Sequence, residues 1–451
     1  MKIIHRTISI SLLLVVTMSA YSQNGVNSPY SRYGFGMMTD RSMGFNKGMG
    51  GVSQGFRSGQ EINVQNPASY SAVDSLTALI DFGMSLYNGN YKVDGLQKNA
   101  RNTSIDYFAF QFRAFKNIGM SLGILPYTNI NYSFSSSSEQ IVGTEDVTTS
   151  YSFSGNGGLH QVYLGIGWKA FGGPLSIGVN GSYIYGDYSH TSAMTFSQTS
   201  AYSMARIYSA DISTWKLDAG LQFEEKLSKN DKLTIGVTGS LGHEVKNKAI
   251  RNTETLNSSS VIQGITSDTI HNAFELPYSL DAGFALSHGN KWRLGGDFGL
   301  EKWSKCKFPD QSGSSGIYKS TNGQLYDRMR LGLGFDITPN SNPTGRHKFF
   351  KRLTYKLGGY YSKSYACADL TGKVSEKPYE FGVSAGVSIP IYSRHLWYNS
   401  PKVNIAFQWV HSNIPYYNST SLKTSNLTEN YLKICLGLTF SERWFAKYKV
   451  Q

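Results

Sequence analysis

From Ser75 onward, apolar residues alternate with small or polar ones in stretch after stretch of roughly ten residues, each closed by a polar break. Side chains of a β-strand point to opposite faces with a period of two, so text of this kind folds into strands with one greasy face and one small, polar face. Ala78, Ile80, Phe82, Met84 and Leu86, interleaved with Thr77, Asp81, Gly83 and Ser85, are the first example. Val162, Leu164, Ile166 and Trp168 repeat it, as do Leu331, Leu333, Phe335 and Ile337, and the last run is Leu432, Ile434, Leu436, Leu438 and Phe440. With residues 118–132 as a less regular member, the count is about 14, an even number as bacterial transmembrane barrels require. The fold class expected is all-β, a transmembrane antiparallel β-barrel. A soluble sandwich would hide its apolar face in a core, and it seldom needs so many strands of this length or aromatics at strand ends such as Trp168, Trp292, Trp303, Trp409 and Trp444.

The breaks themselves alternate in length. Those at residues 116–117, 172–173, 228–231 and 288–290 are tight, whereas 88–103, 133–156, 191–206, 247–274 and 307–324 are long and rich in Ser, Thr and Asn. Short periplasmic turns and long outer loops are the habit of outer-membrane barrels, and an even strand number returns both termini to the periplasm. The connection 339–352, long and basic at His347 and Lys348, departs from this pattern.

The opening residues read as an address: Lys2 and Arg6, an apolar run from Ile8 to Met18, then Ala20-Tyr21-Ser22, so residues 1–22 are expected to be a signal peptide. No later stretch approaches the roughly 18 apolar residues of a spanning helix, which leaves strands as the means of crossing. Glycine (47), tyrosine (30) and phenylalanine (24) are plentiful, and three cysteines, Cys306, Cys367 and Cys435, are too few for a disulfide scaffold. The formal charge of +13 lacks the basic, aromatic-interleaved runs of a nucleic-acid binder, so lipopolysaccharide phosphates and membrane lipid are the expected contacts, with no nucleic acid.

Residues 23–74 do not alternate, yet Tyr33-Gly34-Phe35-Gly36, Gly48-Met49-Gly50-Gly51 and Asn66-Pro67-Ala68 are too apolar and glycine-rich for an exposed tail. A barrel of about 14 strands encloses more space than its own side chains fill. The segment is therefore expected to plug the lumen, with Phe35, Met37, Met38, Met43, Phe45, Met49 and Phe56 as its apolar contacts; an extension packed on the periplasmic rim is the alternative. Residues 75–445 would form the barrel and 446–451 a periplasmic tail.

The early Asn66-Pro67-Ala68 followed at once by a strand resembles the plug-to-barrel junction of the FadL-like transporters of fatty acids and hydrocarbons. The runs Leu276-Pro277-Tyr278-Ser279-Leu280, Lys291-Trp292-Arg293-Leu294-Gly295-Gly296-Asp297 and Arg330-Leu331-Gly332-Leu333-Gly334-Phe335 extend the resemblance. It implies a plugged barrel of 14 strands in which a hydrophobic small molecule enters from outside and leaves sideways at a kinked third strand. Pro126 lacks the N–H that an interior strand position needs, so the resemblance assigns that lateral gap to Leu125, Pro126 and Tyr127, reached by Phe35 and Met37. Pro126 simply ending the paired part of that strand is the alternative. Ser28-Pro29-Tyr30-Ser31-Arg32-Tyr33-Gly34 and Phe440-Ser441-Glu442-Arg443-Trp444-Phe445 resemble a Bacteroidetes branch, in which related barrels also serve as noncatalytic subunits of outer-membrane secretion or assembly complexes. Passive transfer of hydrophobic, fatty-acid-like molecules through the plugged lumen and lateral gap is the expected function, and membership of such a complex is the alternative.

Enzyme chemistry finds no constellation. Gly119-Met120-Ser121-Leu122-Gly123 spells a nucleophile elbow, but no helix is expected after it, and glycine and serine suit a lumen-facing row. His243-Glu244 lacks the second histidine of a zinc protease, so neither a catalytic residue, a metal site nor a cofactor is expected. Cys306 and Cys367 both fall near the outer strand ends, where pairing depends on a Cα separation the sequence does not fix.

Overall fold

The computed structural model describes residues 28–93, 96–142, 145–198, 201–257, 259, 261–310, 317–340, 349–366, 376–391, 401–418 and 423–443. The expected leader at 1–22, the tail at 446–451, Trp444, Cys367, His347 and Lys348 lie outside them.

Fourteen antiparallel strands close into a barrel. In chain order they are β1 (Thr77–Val93), β2 (Leu96–Phe115), β3 (Ile118–Pro126, continued by Thr128–Val142), β4 (Glu145–Lys169), β5 (Leu175–Phe196), β6 (Ser203–Lys226) and β7 (Asp231–Ser240). They continue with β8 (Ser279–His288), β9 (Trp292–Glu301), β10 (Arg328–Ile337), β11 (Thr354–Lys363), β12 (Tyr379–Pro390), β13 (Lys402–Asn418) and β14 (Lys423–Arg443). Each strand pairs with the next, and β14 returns to β1 from Thr77 opposite Arg443 to Lys92 opposite Thr428, so the sheet has no edge around this girdle.

Burial runs opposite to that of a soluble protein. On β5, Leu175, Ile177, Val179 and Tyr183 stand exposed on the outer face, while Ser176, Gly178, Asn180 and Ser182 are turned inward. The same inversion puts Leu331, Leu333 and Phe335 outside and Gly332, Gly334 and Asp336 inside on β10. An exposed belt of this composition is stable only when hydrocarbon surrounds it. Trp168, Trp215 and Trp409 lie on the outer face as a belt demands, but Trp303 does not: it is fully buried in an aromatic cluster inside the molecule.

The tight connections fall on one rim. Asn117, Phe171 and Gly289 turn the chain there with positive φ, and Ser228 closes a turn onto Asp231. At the opposite rim several of the polar breaks are not loops. β4 has 25 residues and β6 has 24, more than twice what a tilted strand needs to cross, and residues 88–103 and 133–156 are largely ladder. Above the hydrocarbon both faces of a strand meet water. The apolar alternation therefore lapses while the backbone ladder continues, and composition alone reads such a ribbon as a loop. A further hairpin, Lys248–Leu256 with Ile262–His271, is added to the far end of β6.

Residues 28–76 pass through the barrel. The 3-10 turn Lys47–Met49 packs against β10, β11, β12 and β13, and the turn Pro67–Ala72 against β3, β4, β5 and β6 across the lumen. Inward glycines make this contact close: a side chain at Gly178 would collide with the backbone of Pro67, and one at Gly119 with the carbonyl of Tyr70.

Candidate functional site: the filled lumen and the break in the third strand

The site residues divide between two apolar clusters stacked along the barrel axis. Met43, Phe45, Met49 and Phe56 are buried with Val52, Ile62, Val64, Tyr70, Tyr107, Leu125 and Tyr163. Phe35 instead belongs to the cluster nearer the ribbon rim, its ring 5.0 Å from Phe274, 5.2 Å from Phe308 and 6.0 Å from Trp303 by centroid. Leu125 and Tyr127, which flank Pro126, are split between the two.

Asn66, Pro67 and Ala68 act as a unit. The Asn66 side-chain oxygen Oδ1 accepts from the Ala68 N–H at 3.1 Å and caps the turn, with Pro67 at its first position where a missing N–H costs nothing. The Asn66 amide donates to the carbonyls of Gln54 and, on β6, Leu221. This one side chain orders the turn and ties it to the wall.

Charged ties, which the sequence analysis missed, hold the segment to the wall. Arg293 on β9 donates to Glu61 at 2.7 Å and to Asp336 on β10 at 2.5 Å. Asp297 accepts from the backbone N–H groups of Ser53 (2.5 Å) and Gln54 (3.1 Å), Arg330 donates to the Gly50 carbonyl at 2.9 Å, and Gln408 to that of Lys47 at 2.8 Å. Lys47, 1% exposed, meets Asp106 of β2 at 2.8 Å. The available signal was parity: Arg293, Asp297, Arg330 and Asp336 sit on the polar face of their strands, where a charge needs a partner inside the lumen.

The third strand is interrupted where Pro126 stands. Ile118–Pro126 pairs with both neighbours, and its ladder with β2 ends at Phe108 opposite Ile124. After Tyr127 the strand resumes as Thr128–Val142, paired with β4 but not with β2. Its other side receives the segment from the lumen: Met37 pairs with Asn129 and Met38 with Thr128, and the Thr39 N–H donates to the Tyr127 carbonyl at 3.2 Å. The Thr39 hydroxyl adds a bond to the Pro126 carbonyl at 2.5 Å. Proline supplies no N–H at the position where the ladder toward β2 stops.

The irregularity runs across four strands. Asp106 on β2 is the extra residue of a bulge opposite Gly83 and Met84. On the other side of the break, Gly157 and Gly158 on β4 and Gly186 on β5 have φ of +118°, +141° and +153°, and a side chain at Gly158 would press on the carbonyl of Thr128. Beside the break, the outer face carries a hollow of about 740 Å³ lined by Phe108, Leu122, Ile124, Val162, Leu164 and Trp215.

Ser121 lies in continuous strand, its hydroxyl 2.9 Å from that of Tyr163, with no strand-to-helix turn around it. Cys306 and Cys435 are free and buried. Among the described residues no group of three His, Cys, Asp or Glu side chains is arranged to hold a metal ion.

Solved structures share the fold. The Pseudomonas putida toluene transporter TodX aligns at 13% identity with a TM-score of 0.57, covering 89% of this chain and 98% of its own. The CymD monoaromatic hydrocarbon channel gives 13% and 0.55 over 90% and 98%, and a Pseudomonas aeruginosa FadL homologue 11% and 0.56 over 89% and 98%. These neighbours are channel and transporter barrels rather than enzymes, and at such identities the likeness is one of fold. No curated protein matches the chain. One family model does, along residues 3–451, and the chain belongs to that family, BamG.

Proposed function

We propose that the protein is a noncatalytic outer-membrane barrel that serves as a subunit of a protein secretion or assembly complex, its lumen closed by residues 28–76 as a plug. One observation carries this reading: the plug is fastened to opposite walls by ion pairs, the buried Lys47 with Asp106 and the half-buried Glu61 with Arg293, as well as by packing. Removing one partner from a buried pair costs about 3–5 kcal/mol, so a plug held by one such pair and by several half-buried ties is built to stay. The outer face is the lipid contact, the tight-turn rim the periplasmic side, and the ribbons face outward.

Passive transfer of hydrophobic molecules is the second reading, favoured by the interrupted third strand and the apolar hollow beside it, in the fold of barrels described as hydrocarbon channels. In that case Leu125, Pro126 and Tyr127 would border a lateral exit, and Phe35 and Met37 would move with the plug.

Purification in mild detergent followed by mass spectrometry separates the two. Stoichiometric polypeptide partners are the expected result. A barrel that purifies alone with a bound fatty acid or hydrocarbon would overturn the subunit reading in favour of transfer.

A further inference from the structure

The outer half of the third strand is half of a sheet awaiting a strand. Asn131 turns both backbone groups away from β4, toward Ser31, whose hydroxyl bonds the Asn131 N–H at 3.2 Å and its carbonyl at 3.3 Å. Extended backbone repeats every two residues, so Ser133, Ser135 and Ser137 present their N–H and C=O groups on that same side. The plug covers only the base of this edge: Met37 and Met38 pair at Asn129 and Thr128, and Ser31 reaches Asn131. Beyond it, Ser133, Ser135, Ser136 and Ser137 are exposed, and among the described residues no second strand joins the ladder there.

Exposed edges are usually protected by lysine, proline or a bulge. The run Tyr132-Ser133-Phe134-Ser135-Ser136-Ser137-Ser138 has none of the three, and its ladder with β4 is regular from Ile130 to Val142. The plug's own two-residue strand demonstrates that this edge accepts an antiparallel partner. We infer that the gap-facing edge of residues 133–137 binds an extended segment of a second polypeptide by β-strand addition, continuing the sheet that Met37 and Met38 begin. Recognition is by main-chain hydrogen bonds, so the partner's chemistry is an unpaired strand with side chains small enough to lie beside serines. This rests on the subunit reading and names where one partner would attach.

The test uses the full chain in detergent micelles and a fluorescent threonine–valine repeat peptide of about eight residues, the length of an ordinary strand. Binding read by anisotropy should be lost, by roughly tenfold or more in affinity, when alternate peptide nitrogens are methylated. The same loss is expected in Ser135→Pro, which removes a gap-facing N–H but leaves the ladder to β4, while Ser135→Ala binds as the parent does. Ser137→Pro serves if Ser135→Pro fails to fold by heat-modified gel mobility. Binding indifferent to methylation and to proline, or no binding, overturns the inference. A photoreactive residue at position 135 in cells that joins only residues 28–39 of its own chain would overturn it too. Polypeptides that still co-purify in that event leave the subunit reading standing, so the two failures are distinguishable.

Discussion

Lys47 in the lumenal segment and Asp106 on β2 form a buried ion pair at 2.8 Å, and Asp106 is the bulged residue beside the break in the third strand. The position of this segment and the irregularity of the wall are thus joined through one carboxylate. Lys433 approaches the same carboxylate at 3.8 Å and Asp40 approaches Lys47 at 3.9 Å, so each partner has a weaker substitute.

Asp106→Asn should cost about 3 kcal/mol or more, because it leaves Lys47 charged and buried with only Asp40 nearby. Lys47→Met should cost less, since Asp106 keeps Lys433 and methionine fills the stem's space. The double substitution should recover much of the loss. Urea titration of folded barrel in detergent checks this, and equal, additive losses would show that the pair is not coupled.

Gly36 has φ of +92°, and a side chain there would collide with the Asn129 carbonyl. Gly36→Ala should therefore detach the strand of Met37 and Met38 from the third strand. With Met38→Cys as reporter, thiol labelling should accelerate by roughly tenfold, in keeping with a local strain of about 1–3 kcal/mol. An unchanged rate would mean that this short pairing does not hold the lumenal segment.

Leu333 stands on the outer face in the middle of β10, 59% exposed, flanked by inward glycines. Leu333→Arg should destabilise the barrel in bilayers by about 2–4 kcal/mol, the cost of a cation at mid-membrane. Folding into lipid vesicles with a denaturant series measures it, and a neutral outcome would place this belt outside hydrocarbon.

The proposed orientation is tested on intact cells. Ile265→Cys, exposed on the added hairpin, should react with an impermeant thiol reagent, and Lys229→Cys at a tight turn only after the outer membrane is opened. The reverse pattern would invert the topology.

The sequence alone determined the strands, their number and which of their faces meets lipid. Alternation is a local property, fixed by the two-residue period of the pleat, and it is the same in every strand. The early Asn-Pro-Ala was legible as a junction only through a family resemblance, whereas Pro126 marked a weak place in the third strand because a missing N–H belongs to the residue itself. Only the tertiary structure decided the rest. That several of the Ser- and Asn-rich breaks are ribbons depends on pairing partners, as composition does not separate a solvated strand from a loop. Phe35 and Phe45, alike in sequence, went to different clusters because each packs against whatever the closed wall presents at its depth. Glu61 found Arg293 and Lys47 found Asp106 across a lumen that exists only after β14 has closed on β1. Which edge of the third strand stays open was settled by the same closure, since the row from Asp106 through Pro126 to Gly158 and Gly186 lines up only when four strands are in register.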